Sequence, residues 1–259
     1  MSDKGAAKQV VVKDTAGEVA EHVAAEVRRM ICDAVNERGV CRLALSGGTT
    51  PHPMYKHLAI DVASEPVPWD CVEVFFGDER DVPHDHVESN YNMAQRTLLD
   101  HLPVDPARVH PMPVDMNDLS AGAEEYEQTI RLRVPVGPGG IPHFDLILLG
   151  VGSDGHVASL FPHTPALKEN RRLVIAYHVS VLGRERMSFT FPLINAARHV
   201  IMMVTGEDKA EVIADILDTE GEHHERLPAF NVHPQEGKLH IVLDRSAATK
   251  ANLQPTSST

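Results

Sequence analysis

Three stretches of this chain carry side chains able to do chemistry, and each follows a short apolar run. In LLGVGSDGHVASLFP, residues 148–162, Asp154 and His156 stand two positions apart on a glycine-rich corner. A neutral imidazole with an ordinary pKa near ~6.5 can take a proton from water, and a nearby carboxylate can fix its tautomer. His156 is therefore a candidate general base and Asp154 its partner, while Gly152 and its neighbours would let a ligand approach the ring closely. The competing reading is a histidine that caps or fills the turn. Backbone N–H groups from Gly152 to Gly155 are candidates for stabilising an oxyanion.

The second stretch is LALSGGTTPHPMY, in which a strand ending at Leu45 passes through Ser46, Gly47, Gly48, Thr49 and Thr50 before Pro51 can start a helix. Glycines allow close backbone approach, threonine hydroxyls donate hydrogen bonds, and a helix start adds positive partial charge. These are the parts of a phosphate cradle, and equally of a tight strand-to-helix turn. The nucleotide P-loop pattern and its lysine are missing. Ser46 is disfavoured as a nucleophile because no G-x-S-x-G surrounds it.

The third stretch, VFFGDERDVPHDHVESNYN, sets Asp78, Glu79 and Arg80 directly after a very apolar strand. Arg80 could clamp a phosphate in a bidentate manner, with Asp78 or Glu79 orienting it or meeting a sugar hydroxyl. A solvated loop with a local ion pair is the alternative. His84 and His86 lack a third ligand at a diagnostic spacing, so a metal site is disfavoured. Gly150, Gly152 and Gly155 match G-x-G-x-x-G, but no acidic residue ends the following strand, LVIAYHV. A dinucleotide site is accordingly disfavoured too.

The elements that must position these residues are legible from periodicity. Thr15 to Arg38 is predicted as an amphipathic helix, with Thr15 and Glu18 as a capping box and Gly39 after its end. Apolar runs at Arg42–Leu45, Val72–Phe76, Asp145–Leu149, Leu173–Val179, His199–Thr205 and Leu239–Leu243 are predicted as buried strands. Helical patterns at Ser89–Leu99, Ala121–Leu132 and Glu207–Asp218 lie between several of them. The class is α/β, with a mostly parallel sheet flanked by helices on both faces. Ligands of such sheets bind beyond the carboxyl ends of the strands, where all three stretches fall.

At 259 residues the chain is at the upper end for one domain. Residues 1–250 are expected to form that domain and 251–259, polar and unpatterned, a mobile tail. The formal charge of −13 disfavours nonspecific binding to nucleic acid or anionic membranes, so an anionic ligand needs a locally positive pocket. Three scattered cysteines suggest neither disulfides nor structural zinc. With no apolar signal region or membrane-length run, a soluble cytoplasmic protein is expected. Monomer and dimer both remain open.

Taken together, SGGTTP, FFGDERDVP with ESNY, and DLILLGVGSDGHVASLFP closely resemble the 6-phosphogluconolactonase family, in this order and at comparable separations. The resemblance runs from about Leu43 to Asp244, and RMSFTFPLINAARHV and VTGEDKAEV extend it. It implies a Rossmann-like fold, shared with glucosamine-6-phosphate deaminases, and hydrolysis of 6-phosphogluconolactone to 6-phosphogluconate without a cofactor. It also implies His156 as general base, and a phosphate held by the SGG loop, Arg80 and Lys209. The arginine-containing strand reads VLGRERMSFTF, which leaves Arg186 or Arg184 as a further contact; His223 to Lys238 is atypical. A deaminase or isomerase of the same fold is the alternative, but those enzymes typically read MDEY and DGHIAFNEP where this chain has GDER and DGHVASLFP. A noncatalytic sugar-phosphate sensor is the third reading.

Overall fold

A computed structural model describes residues 7–60, 66–114, 118–218 and 227–251. In chain order the elements are β1 (Ala7–Lys13), α1 (Ala16–Arg38), β2 (Cys41–Leu45), α2 (Pro51–Leu58), β3 (Val72–Phe76), β4 (Asp78–Arg80), α3 (Asn90–Thr97) and α4 (Leu119–Arg133). They continue with β5 (Leu146–Gly150), β6 (Val174–Val179), β7 (Arg184–Phe189), α5 (Phe191–Ile194), β8 (His199–Val204), α6 (Ala210–Leu217) and β9 (Lys238–Asp244). Six strands form a parallel sheet in the order β1-β9-β8-β5-β2-β3. Its inner strands read as nearly continuous apolar runs because both of their faces are covered.

The fold departs from the sequence reading in four places. Leu173–Val179 was expected beside the other buried strands, but β6 joins β4 and β7 in a separate antiparallel sheet ordered β4-β7-β6. Asp78–Arg80 is itself a strand of that sheet rather than a loop, and the chain reaches it from β3 through the single residue Gly77. The Gly77 carbonyl accepts from Phe189 N at 2.8 Å and its N–H donates to Leu45 O at 2.9 Å, which stitches the two sheets together. The strand β1 was not anticipated; it lies on the edge, where exposure dilutes the apolar signal and lysines at both ends are tolerated. Finally, the capping box of α1 is half formed. Thr15 accepts from Glu18 N as expected, but the Glu18 carboxylate reaches Asp14 N instead of its own cap residue.

Helix α1 closes on Gly39 in the left-handed conformation, φ 74°, with its N–H on Val35 O. Its buried stripe, including Val19, Val23, Val27 and Ile31, packs against β2, β9 and α2. Helix α4 packs instead against β6 and β7, and so supports the second sheet. Its Tyr126 is fully buried; the phenol accepts from Phe76 N at 2.9 Å and donates to His110 O at 2.9 Å. Among the described residues no helix is long and apolar enough to cross a membrane. The mobile-tail expectation for 252–259 lies outside the described residues, as does the 223–226 part of the atypical region.

Candidate active site

Beyond the carboxyl ends of β2 and β5, and over the face of the small sheet, lies a cleft of about 350 Å³. The three chemical stretches meet there. Ser46, Gly47, Gly48, Thr49 and Thr50 supply one wall. Asp78, Arg80 and Arg186 come from the small sheet, Gly152 and His156 from the corner after β5, and Lys209 from the turn leading into α6. Sequence reasoning passed over Ser159, Phe161 and Leu182, which also line the cleft. An isolated serine or phenylalanine in an apolar stretch carries no mark of facing a ligand.

The first wall is fixed from behind. The Tyr55 hydroxyl, on α2, accepts from Ser46 N at 3.0 Å and donates to Ser46 O at 2.6 Å, which locks the entry to the loop. Gly47 is then required by close approach, since a Cβ there would lie 1.7 Å from Asn90 Oδ1. Pro51 opens α2, although Thr50 makes no side-chain capping bond. The Thr50 hydroxyl is thereby left for the cleft.

In the stretch VFFGDERDVPHDHVESNYN the three consecutive charges have three different fates. Asp78 is buried yet lines the cleft; its carboxylate accepts from Ser159 Oγ at 2.7 Å and Asn90 Nδ2 at 3.1 Å. Glu79, one candidate for orienting a ligand, turns away from it. Fully buried, it accepts from Arg80 N, Ser89 Oγ, Asn90 N and Tyr91 N at 2.8 to 3.0 Å, and so caps α3. Burial pushes its carboxyl above the usual range, partly offset by those backbone donors. Arg80 faces the cleft while one guanidinium nitrogen donates to Glu88 O.

Strand register puts Arg186 directly across from Arg80. Like charges opposite one another in a sheet repel. Burial, then the neighbouring Arg80, lower the Arg186 pKa, against the pull of Asp81 at 3.2 Å. Arg184 lies two pairs closer to the hairpin turn and donates to Glu88 Oε2 at 2.8 Å; it does not line the cleft. Lys209 also lines the cleft, with Nζ 2.8 Å from Asp208 Oδ2. Its turn starts at Gly206, whose N–H is held by Asp244 at the end of β9.

On the glycine-rich corner Asp154 Oδ1 lies 2.6 Å from His156 Nδ1 and also accepts from His156 N at 3.1 Å. Partial burial raises the Asp154 carboxyl, but the bonds and charge of His156 outweigh it and hold the group below its ordinary value. Asp154 itself stays behind the ring, outside the cleft lining. Gly152 is the second position where only glycine fits: a Cβ would sit 2.1 Å from His156 Nδ1 and 2.6 Å from Asp154 Oδ1. Of the amides from Gly152 to Gly155 expected as oxyanion donors, the two end ones are not free for that role. Gly152 N bonds His156 O at 2.9 Å and Gly155 N bonds Gly152 O at 3.0 Å, so the turn consumes both.

The described part of the atypical region packs here as well. Leu227 lies against Gly155, and Ala229 N donates to Gly155 O at 2.9 Å, bracing the turn from outside the cleft. His84 and His86 do not converge. His84 bonds Met112 O at 2.8 Å, and His86 Nδ1 accepts from Glu88 N at 3.1 Å.

Comparison with known proteins gives this arrangement a context. Residues 14–241 match the family model described as glucosamine-6-phosphate isomerases/6-phosphogluconolactonase. The chain is 42% identical over 229 residues to the 6-phosphogluconolactonase of Synechocystis sp., covering 88% of this chain and 91% of that protein. It is 38% identical over 248 residues to the 6-phosphogluconolactonase of Streptomyces coelicolor, covering 93% and 94%. Among solved structures, 6-phosphogluconolactonase from Trypanosoma brucei superposes with a TM-score of 0.84 at 29% identity, over 94% of this chain and 98% of that one. With its Rossmann-like α/β fold and with relatives of this identity along nearly its whole length, the chain belongs to the glucosamine-6-phosphate isomerase/6-phosphogluconolactonase family.

Proposed function

We propose that this protein is a 6-phosphogluconolactonase, hydrolysing 6-phospho-D-glucono-1,5-lactone to 6-phospho-D-gluconate in the cytoplasm as a step of the oxidative pentose phosphate pathway. The observation that carries the reading is one cleft shared by an imidazole, oriented by a carboxylate, and by two arginines that face each other across a strand pair. Such a pair repels, Asp81 on Arg186 offsets that only in part, and an anion between the two guanidinium groups relieves it. The 6-phosphate supplies that anion, with Lys209 as a third cation and the Ser46–Thr50 loop contributing hydroxyl and backbone donors.

Anchoring of the phosphate places the lactone carbonyl beside His156, so that position replaces collision. With Nδ1–H donated to Asp154, Nε2 is the lone-pair nitrogen. It takes a proton from water as the water oxygen bonds to C1. The tetrahedral intermediate then collapses: the bond from C1 to the ring oxygen breaks, and the imidazolium returns its proton to that oxygen. The new carboxylic acid releases a proton to solvent. No covalent intermediate and no cofactor enter this scheme. Asp78, held by Ser159 and Asn90, is positioned to accept from a sugar hydroxyl. Residues 1–250 act as one unit in this reading, since the cleft draws on both sheets.

The test follows proton release from freshly prepared lactone, with spontaneous hydrolysis subtracted. His156→Ala is expected to lose about 10²- to 10⁴-fold in turnover while still binding 6-phosphogluconate. Arg80→Ala is expected to lose affinity rather than rate. Near-normal turnover in the histidine variant, or ammonia release from glucosamine 6-phosphate without lactone hydrolysis, overturns the proposal.

A further inference from the structure

The non-glycine residues with left-handed backbone among those described are Ala158, φ 48°, and His163, φ 60°. They bracket one short segment, Ala158–His163, directly after the glycine-rich corner that carries His156. Residues with a Cβ avoid this region, and strain of this kind persists only where the surroundings enforce it. Those surroundings are visible. Ser159 N donates to Ser188 Oγ at 3.1 Å, Ser159 O accepts from Tyr177 at 2.6 Å, and Thr164 Oγ1 donates to Phe161 O at 2.7 Å. The small sheet thus holds the segment in place from behind.

What this conformation delivers is Phe161. Its ring is buried, lines the cleft, and lies on the His156 imidazole with centroids 4.3 Å apart and planes 26° apart. Asp154 fixes the Nδ1 edge of the imidazole at 2.6 Å, and the Gly152 Cα stands close to that same edge. A hydrogen bond at one edge still leaves an imidazole free to rock about the axis through that bond. A flat aromatic surface against one face removes this remaining freedom.

We propose that Phe161 is a positioning residue, a backstop that holds the His156 ring at the angle needed for its Nε2 to meet the attacking water. The inference rests on His156 being the base, and it adds that the base requires an aromatic face behind it. Misalignment of a reacting group by about 1 Å can cost up to about 10²-fold in rate, so loss of one of two restraints should give a smaller but measurable defect.

The experiment compares Phe161→Leu, Phe161→Tyr, His156→Ala and the His156→Ala/Phe161→Leu double variant in the proton-release assay. Phe161→Leu keeps bulk and apolarity but removes the flat face; kcat is expected to fall about tenfold with KM little changed, and Phe161→Tyr to recover most of that loss. In the His156→Ala background the leucine substitution should cost nothing further, because the ring to be positioned is gone. Equal kcat for the leucine variant and wild type overturns the inference, as does an undiminished further loss in the double variant. A leucine variant whose KM rises with kcat unchanged also overturns it. If His156→Ala itself retains turnover, the base assignment fails instead, and the two failures are told apart. Should the leucine variant fold poorly, Phe161→Met gives a second apolar replacement without a ring face.

Discussion

The two ends of the parallel sheet handle charge in opposite ways. At the amino ends of the strands, Asp145 is buried and satisfied: Arg38 Nε is 2.8 Å away, Arg198 Nε 3.4 Å, and Arg42 N donates at 2.8 Å. At the carboxyl ends Arg80 faces Arg186 across a strand pair, and Lys209 lines the same open cleft. One end sets a buried carboxylate among arginines and an amide of the protein, and the other gathers three cations around an open cleft, where Asp81 and Asp208 neutralise them only in part. Charge is thereby handled differently at the amino ends of the parallel sheet and where its carboxyl ends meet the small sheet, and substitutions at each pole should move different observables.

The largest effect is expected at the closed pole. Asp145→Ala removes the shared partner of two arginines and leaves the Arg42 amide unpaired, which should cost about 3 kcal/mol in urea unfolding. Turnover per folded molecule should stay near wild type, and a parallel loss of kcat would erase the contrast. At the open pole, Arg186→Met removes a cleft-lining cation and its ion pair with Asp81 but also relieves repulsion with Arg80. KM should rise about tenfold, the range of one charge-assisted hydrogen bond, while unfolding stability changes by less than about 0.5 kcal/mol.

The smallest effect depends on pH. His199 Nδ1 and His240 Nε2 lie 3.2 Å apart at the closed pole. Burial first, then His240, Lys238 and nearby arginines push the His199 pKa down to about 4. A group whose folded pKa is depressed takes up protons more readily when unfolded, so its contribution is complete above the ordinary value of about 6.5. That contribution is lost as pH falls from there toward about 4. Asp154, depressed by its partner, loses its contribution only at still lower pH. Acid should therefore loosen the histidine pole first, and His199→Gln should flatten the dependence of Tm on pH between 6.5 and 4. An unchanged slope in that variant would break the assignment.

Much of this frame is legible in the sequence, and what is hidden has identifiable causes. Helix α1 and the central strands show because one buried stripe or two buried faces force a repeating apolar pattern. Residue type also announced that the glycine corner, the threonines and the DER triplet were unusual. Residue type does not report direction, however. Nothing local distinguishes Asp78, turned to the cleft, from Glu79, turned inward to cap α3. Arg184 and Arg186 are two apart in a strand and share a face, so parity could not choose between them. Their distances from the hairpin turn decide, and those follow from pairing with a segment about a hundred residues earlier. Membership of the small sheet was hidden for the same reason: β6 carries an apolar run like those of the large sheet, and only its partners differ.

One consequence of the Glu79 cap reaches past this molecule. A single carboxylate ties the amide preceding the Arg80 side chain to the first turn of α3, so the guanidinium and that helix form one mechanical part. Anyone transplanting the arginine motif into another scaffold would have to carry the helix start along with it. The transferable module is fourteen residues of chain, Asp78 through Tyr91, and not the three letters that first draw the eye.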